Sequence, residues 1–160
     1  MKPPVLNAPV ADFTLKNQDG KDVSLSSFKD KPVVLFFFPR ADTPGCTIES
    51  CGFRDVFKKF QKAGIVVLGI SRDTVSAQKK FKDKYGLPYD LLADPEMVLI
   101  KGYDLLKPKK MYGKTVTGVK RTTYLIGPDQ GKGQRLLHIF ENVKPEGHAE
   151  EVFALIRTEL

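Results

Sequence analysis

Val33-Val34-Leu35-Phe36-Phe37-Phe38-Pro39-Arg40-Ala41-Asp42-Thr43-Pro44-Gly45-Cys46 opens with six apolar residues in unbroken succession. Such a run, without polar alternation, reads as a strand buried on both faces of a sheet covered by helices. Pro39 terminates the strand. Thr43 is a good N-cap, and Pro44 suits the first helical position, where its missing N–H is harmless. Phe53, Val56, Phe57 and Phe60 fall at i, i+3, i+4 and i+7, which predicts one apolar stripe on a helix that Gly64 closes. A strand followed directly by a helix is the repeating unit of an α/β domain.

The flanking sequence extends this pattern. Phe13 to Phe28 reads as two short strands around the turn Asn17-Gln18-Asp19-Gly20-Lys21. Ile65 to Ile70 is a second buried strand, and Ser76 to Tyr85 a charged helix with Phe81 and Tyr85 inward, ended by Gly86 and Pro88. Tyr89 to Leu92 is extended and Pro95 to Tyr103 a short helix. Lys101 to Arg121 reads as a basic loop. Thr122 to Ile126 and Arg135 to Phe140 form a hairpin around Gly127–Gly133. His148 to Glu159 is a terminal helix with Val152, Leu155 and Ile156 inward. The expectation is a single α/β domain over 1–160, a mixed central sheet flanked by helices with an N-terminal β-hairpin.

Composition narrows the function classes. The 160 residues carry 26 basic and 19 acidic side chains, a net charge of +7. Lys101–Arg121 holds seven basic residues against the single acid Asp104, so nearly the whole excess lies there. The bland reading is a solvated lysine-rich loop; a docking surface for an acidic partner is the sharper one. No aromatic-interleaved basic motif supports nucleic-acid binding. No apolar run approaches the ~18 residues a membrane span needs. The opening Met1–Leu15, with adjacent prolines at 3 and 4 and no continuous apolar block, does not read as a secretory signal. Two cysteines without a signal point to a reducing, cytoplasmic compartment.

Those cysteines carry the chemistry. Cys46 falls in the first turn of its helix, where free backbone N–H groups and the helix dipole favour a thiolate, the reacting form of cysteine. Cys51 lies five residues on. On one regular helix that spacing is about 7.5 Å along the axis and ~140° around it. The Cα atoms then stand beyond the ~7 Å that a disulfide spans. A bridge between them therefore requires local unwinding of the helix. Alternatives stay open at this point, because a lone cysteine is usually a small buried hydrophobe. Zinc is disfavoured, since His138 and His148 lack finger spacing with Cys-x4-Cys, and the Cys-x-x-Cys of thioredoxin-type reductases is absent. Neither histidine is expected to act in catalysis.

The pattern Pro39-x-x-x-Thr43-x-x-Cys46 resembles the active-site motif of the peroxiredoxins. Thr43-Pro44-Gly45-Cys46-Thr47-x-Glu49-x-Cys51-x-Phe53-Arg54-Asp55 is similar to the PrxQ, or bacterioferritin comigratory protein, subgroup. The likeness continues through Ala8-Pro9-x-x-x-Phe13-x-Leu15, Gly69-Ile70-Ser71-x-Asp73, Tyr112-Gly113-Lys114 and Arg121-Thr122-x-Tyr124-Leu125-Ile126. One departure is the turn Gly127–Gly133, which is longer than the Asp-x-x-Gly-Lys usual in such hairpins.

The resemblance implies a thioredoxin-like fold, a monomer and a thiol peroxidase without a cofactor. It implies Cys46 as peroxidatic cysteine, oxidised to a sulfenic acid by hydrogen peroxide or an organic hydroperoxide. Thr43 would hydrogen-bond the peroxide, Pro39 would shield the thiolate, and Arg121 would stabilise charge on sulfur and oxygen. Backbone N–H groups of Gly45 and Cys46 would add donors. Cys51 would resolve the sulfenic acid as an intramolecular disulfide, for reduction by thioredoxin or a similar dithiol. The Lys101–Arg121 segment could steer an acidic reductant. Two rival readings predict other behaviour. A protein disulfide oxidoreductase on the same fold would reduce insulin-type disulfides and react little with peroxide. A basic polyanion-binding module would bind nucleic acid with steep salt dependence and would not need Cys46.

Overall fold

The computed structural model describes residues 2–159. Along the chain run β1 (Thr14–Lys16), β2 (Asp22–Ser24), β3 (Val33–Phe37), α1 (Pro44–Asp55), α2 (Phe57–Lys62), β4 (Val66–Ser71), α3 (Val75–Tyr85), β5 (Asp90–Ala93), α4 (Val98–Gly102), β6 (Leu106–Met111), β7 (Lys114–Val119), β8 (Thr122–Ile126), β9 (Leu136–Phe140) and α5 (His148–Glu159). Seven strands make one sheet in the order β2-β1-β5-β4-β3-β8-β9, and β6 and β7 pair separately. No described helix is long and apolar enough to cross a membrane.

β3 is the hinge of this sheet. It runs parallel to β4, with Val33 opposite Val66 and Phe37 opposite Ile70, and antiparallel to β8, with Val33 opposite Ile126. Every residue from Val33 to Phe38 is 0% exposed. Because side chains alternate along a strand, one apolar run builds two cores. Val33, Leu35 and Phe37 pack with Leu68, Ile70, Tyr103 and Tyr124 on one face. Val34, Phe36 and Phe38 pack with Phe53, Phe60, Phe81 and Tyr89 on the other. Gly69 makes the second core possible: a Cβ there would stand 2.8 Å from the Phe36 ring and 2.9 Å from Leu91 Cδ2.

Three local expectations are corrected. The helix after Thr43 is not continuous to Gly64, because the backbone leaves helical geometry at Val56 (φ −106°, ψ 8°), between α1 and α2. Phe53 and Phe60 are fully buried while Val56 and Phe57 are only half-buried, so seating the two rings prevails over one straight stripe. Thr43 stands at the N-cap position but its side chain makes no capping bond; the hydroxyl donates instead to the Arg40 carbonyl at 2.8 Å. The basic loop is largely a hairpin. Tyr112 (φ 54°) and Gly113 (φ 76°) make its two-residue turn between the paired Met111 and Lys114. Left-handed geometry at both central residues matches the twist of the flanking strands.

Candidate active site

The loop joining β3 to α1 emerges from the buried centre of the sheet and is fixed from α3 and the turn before it. Asp73 accepts hydrogen bonds from the Ala41 backbone N–H at 2.7 Å and the Ser71 hydroxyl at 2.6 Å. Asp42, at φ 59°, accepts from Lys84 Nζ at 2.9 Å and the Tyr85 hydroxyl at 2.8 Å. The hydrogen bond from Lys84, then that from Tyr85, holds the Asp42 carboxyl below its ordinary range. Pro39 begins this loop and is half-buried behind Phe38. Pro44 and Gly45 follow Thr43 as the first two helical residues, and Cys46 is the third. Cys46 is 1% exposed, whereas Cys51 is partly exposed; both are free thiols.

Arg121, the residue before β8, reaches the same turn. Its Nη2 lies 3.4 Å from Cys46 Sγ and its Nη1 donates to Glu49 Oε1 at 2.7 Å. Burial opposes its charge, but the neighbouring Glu49 and Cys46 outweigh that and hold its pKa above the usual arginine value. Gly45 admits the guanidinium: a Cβ at that position would sit 3.0 Å from Arg121 Nη2. A methyl group there would require the guanidinium to give by a few tenths of an ångström. Thus Cys46, Gly45 and Arg121 meet at one point, with Thr43 opening the same helix and Pro39 starting the loop that leads to it.

Behind this point lies a group for which no role was expected. Glu49 is 1% exposed, and burial pushes its carboxyl up to about 7, with the Arg121 charge pulling back. Its Oε2 has no hydrogen-bond partner. His148 Nε2 stands 3.9 Å from that oxygen and 2.7 Å from the Thr123 hydroxyl. His148 is itself buried, which lowers its pKa below the ordinary value. The position of Glu49, one helical turn after Cys46, was the only signal in the sequence that it faces the same side.

Cys51 projects from the same helix farther along. Burial raises its pKa above 9.0, with Arg54 opposing the shift. The helix is continuous from Pro44 to Asp55, so the five-residue offset keeps the two sulfur-bearing residues apart. A disulfide requires this helix to open between them.

Comparison with known proteins gives one answer. Residues 6–131 match the AhpC/TSA family. Peroxiredoxin Bcp of Bacillus subtilis is 39% identical over 146 residues, spanning 91% of this chain and 90% of that protein. The Xanthomonas campestris bacterioferritin comigratory protein, solved in a study of its alkyl peroxide reduction activity, superposes with a TM-score of 0.86 at 34% identity, over 98% of each chain. A cysteine-to-serine mutant of Xylella fastidiosa PrxQ superposes with a TM-score of 0.90 at 30% identity, over 99% of each chain. The fold is therefore thioredoxin-like, as the resemblance implied. The chain belongs to the AhpC/TSA family and, within it, to the peroxiredoxins of the Bcp/PrxQ type, which makes it a thiol-dependent peroxidase.

Proposed function

We propose that Cys46 is the peroxidatic cysteine for hydrogen peroxide and organic hydroperoxides, and that Cys51 resolves it within the same chain. The observation that carries this reading is the Arg121 guanidinium 3.4 Å from Cys46 Sγ in the first turn of α1. A cation and free helix N–H groups at one sulfur favour negative charge there. The thiolate attacks one peroxide oxygen, the O–O bond breaks, and the departing oxygen takes a proton to leave as water or an alcohol. Arg121 stabilises the charge that develops on the leaving oxygen. The Thr43 hydroxyl and the Gly45 and Cys46 N–H groups orient the peroxide, and Pro39 keeps water from that side.

The Cys51 sulfur then attacks the sulfenic sulfur and releases a second water, forming the disulfide. Unwinding of α1 both closes the distance and relieves the burial that raises the Cys51 pKa. Thioredoxin, or a similar dithiol protein, reduces the bridge by exchange, and the β6–β7 hairpin attracts its acidic face. Sulfur alone carries the electrons. We place the protein in the cytoplasm as a monomer.

Peroxide consumption coupled to thioredoxin tests the cycle. Cys46→Ser abolishes turnover, whereas Cys51→Ser still consumes one equivalent of peroxide but does not complete the intramolecular cycle. Equal turnover in wild type and Cys46→Ser would refute the assignment. Charge reversal at Lys109, Lys110 and Lys114 slows the thioredoxin-dependent step and flattens its salt response; an unchanged salt response would refute hairpin steering.

A further inference from the structure

We propose that Tyr89 is the positioning residue that latches α1 closed around Cys51 and so sets the rate of the resolving step. Tyr89 precedes β5 and is 4% exposed. Its hydroxyl donates to the Ser50 carbonyl at 2.6 Å, one residue before Cys51. Among the described residues this is the one side-chain hydrogen bond from another element to the backbone of α1 between Cys46 and Phe53. The buried Ser50 hydroxyl has no hydrogen-bond partner, so the Ser50 side chain adds no second polar tether to another element.

The two sides of the latch differ in how firmly they are held. Tyr89 stays where it is: Lys82 Nζ donates to its carbonyl at 2.7 Å and to the Leu87 carbonyl at 2.8 Å, and its ring stands edge-on to Phe36 at 5.7 Å. The far end of α1 is also anchored, by Phe53 stacked on Phe36 at 4.5 Å and by Arg54 Nη1 donating to the Tyr85 carbonyl at 2.8 Å. Movement of Cys51 toward Cys46 is thereby confined to the segment between two fixed points. Unwinding that carries Ser50 out of its helical position has to break the bond from the Tyr89 hydroxyl. The latch protects the wound helix around reduced Cys46. Its cost is a longer-lived sulfenic acid, which a second peroxide can convert to sulfinic acid.

The inference rests on Cys51 as the resolving cysteine, and the test separates the two ideas. Tyr89→Phe removes the hydroxyl and leaves the ring. After one equivalent of hydrogen peroxide, the rate of Cys46 oxidation stays unchanged. The rate of disulfide formation rises roughly fivefold, the change expected from one neutral hydrogen bond. The sulfinic fraction at excess peroxide falls. Amide exchange at Thr47–Cys51 in the reduced Cys51→Ser background reads the latch without any disulfide, and Tyr89→Phe speeds it by a similar factor. A purely structural role for Tyr89 would lower the melting temperature but move neither rate. Unchanged disulfide formation together with unchanged exchange overturns the latch. Absence of any disulfide in wild type overturns the resolving role of Cys51, and exchange alone then decides the latch.

Discussion

The first turn of α1 is held by charge, whereas its second half is held by packing. Cys46 faces Arg121 at 3.4 Å, and Glu49 holds that cation at 2.7 Å. Phe53, only two residues after Cys51, is 0% exposed and stacks on Phe36 at 4.5 Å. In the proposed cycle one helix serves two demands. Its start presents a sulfur to peroxide in a fixed electrostatic setting, and its middle gives way once that sulfur is oxidised. A polar first turn and an apolar anchor after Cys51 leave the segment between them as the part that can open.

Replacing Phe53 by Ala attacks the packed half and has the largest expected effect. Truncating a fully buried phenylalanine costs about 3–5 kcal/mol. Thermal melting should fall by about 10 °C, while the folded protein still oxidises Cys46 at a near-wild-type rate. A peroxide-step defect as deep as that of an Arg121 variant would show that the two halves are not separate. Arg121→Lys attacks the charged half. Lysine keeps the charge but loses the fork that touches Cys46 and Glu49 together, so Cys46 oxidation slows by roughly a hundredfold with little change in melting. Stopped-flow kinetics with hydrogen peroxide reads this directly.

Gly45→Ala is the subtler test of the same half, because it alters neither charge nor sulfur. Its Cβ would meet Arg121 Nη2 at 3.0 Å and shift it by a few tenths of an ångström. The oxidation rate falls, within the roughly hundredfold that a misplacement of about 1 Å can cost. Glu49→Gln has the smallest expected effect and a defined sign. The Glu49 carboxyl titrates at about 7 in the fold against an ordinary 4.5. The folded state thus binds the extra proton more tightly, and Glu49 makes stability fall as pH rises from 4.5 to about 7. His148, with its pKa lowered from 6.5, contributes the opposite slope below that value. Chemical denaturation across this window should show the falling component lost in Glu49→Gln. An identical pH profile in the two proteins would mean that Glu49 is not the titrating group.

The sheet and the position of Cys46 were legible because they rest on local rules. An unbroken apolar run, a proline and a helix start lie within Val33–Cys46. The meeting of Arg121 with Cys46 joins residues 75 apart in sequence, and no periodicity encodes that contact; only the family motif pointed to it. Glu49 was visible as a motif letter, but its burial depends on α5 packing over α1. The β6–β7 hairpin was missed because its turn uses Tyr112-Gly113. Tyrosine at positive φ is rare, so the Asn-Gly or Asp-Gly signal was absent. The break at Val56 was hidden because spacing alone cannot weigh two buried rings against a straight helix.

The central question is whether the two halves of α1 cooperate in one chain. Reduced protein mixed with one equivalent of hydrogen peroxide should lose both free thiols within seconds and show a mass lower by about two hydrogens. Cys51→Ser should instead hold one added oxygen on Cys46. Persistence of both thiols, or a stable oxygen adduct in the wild-type protein, would contradict that cooperation.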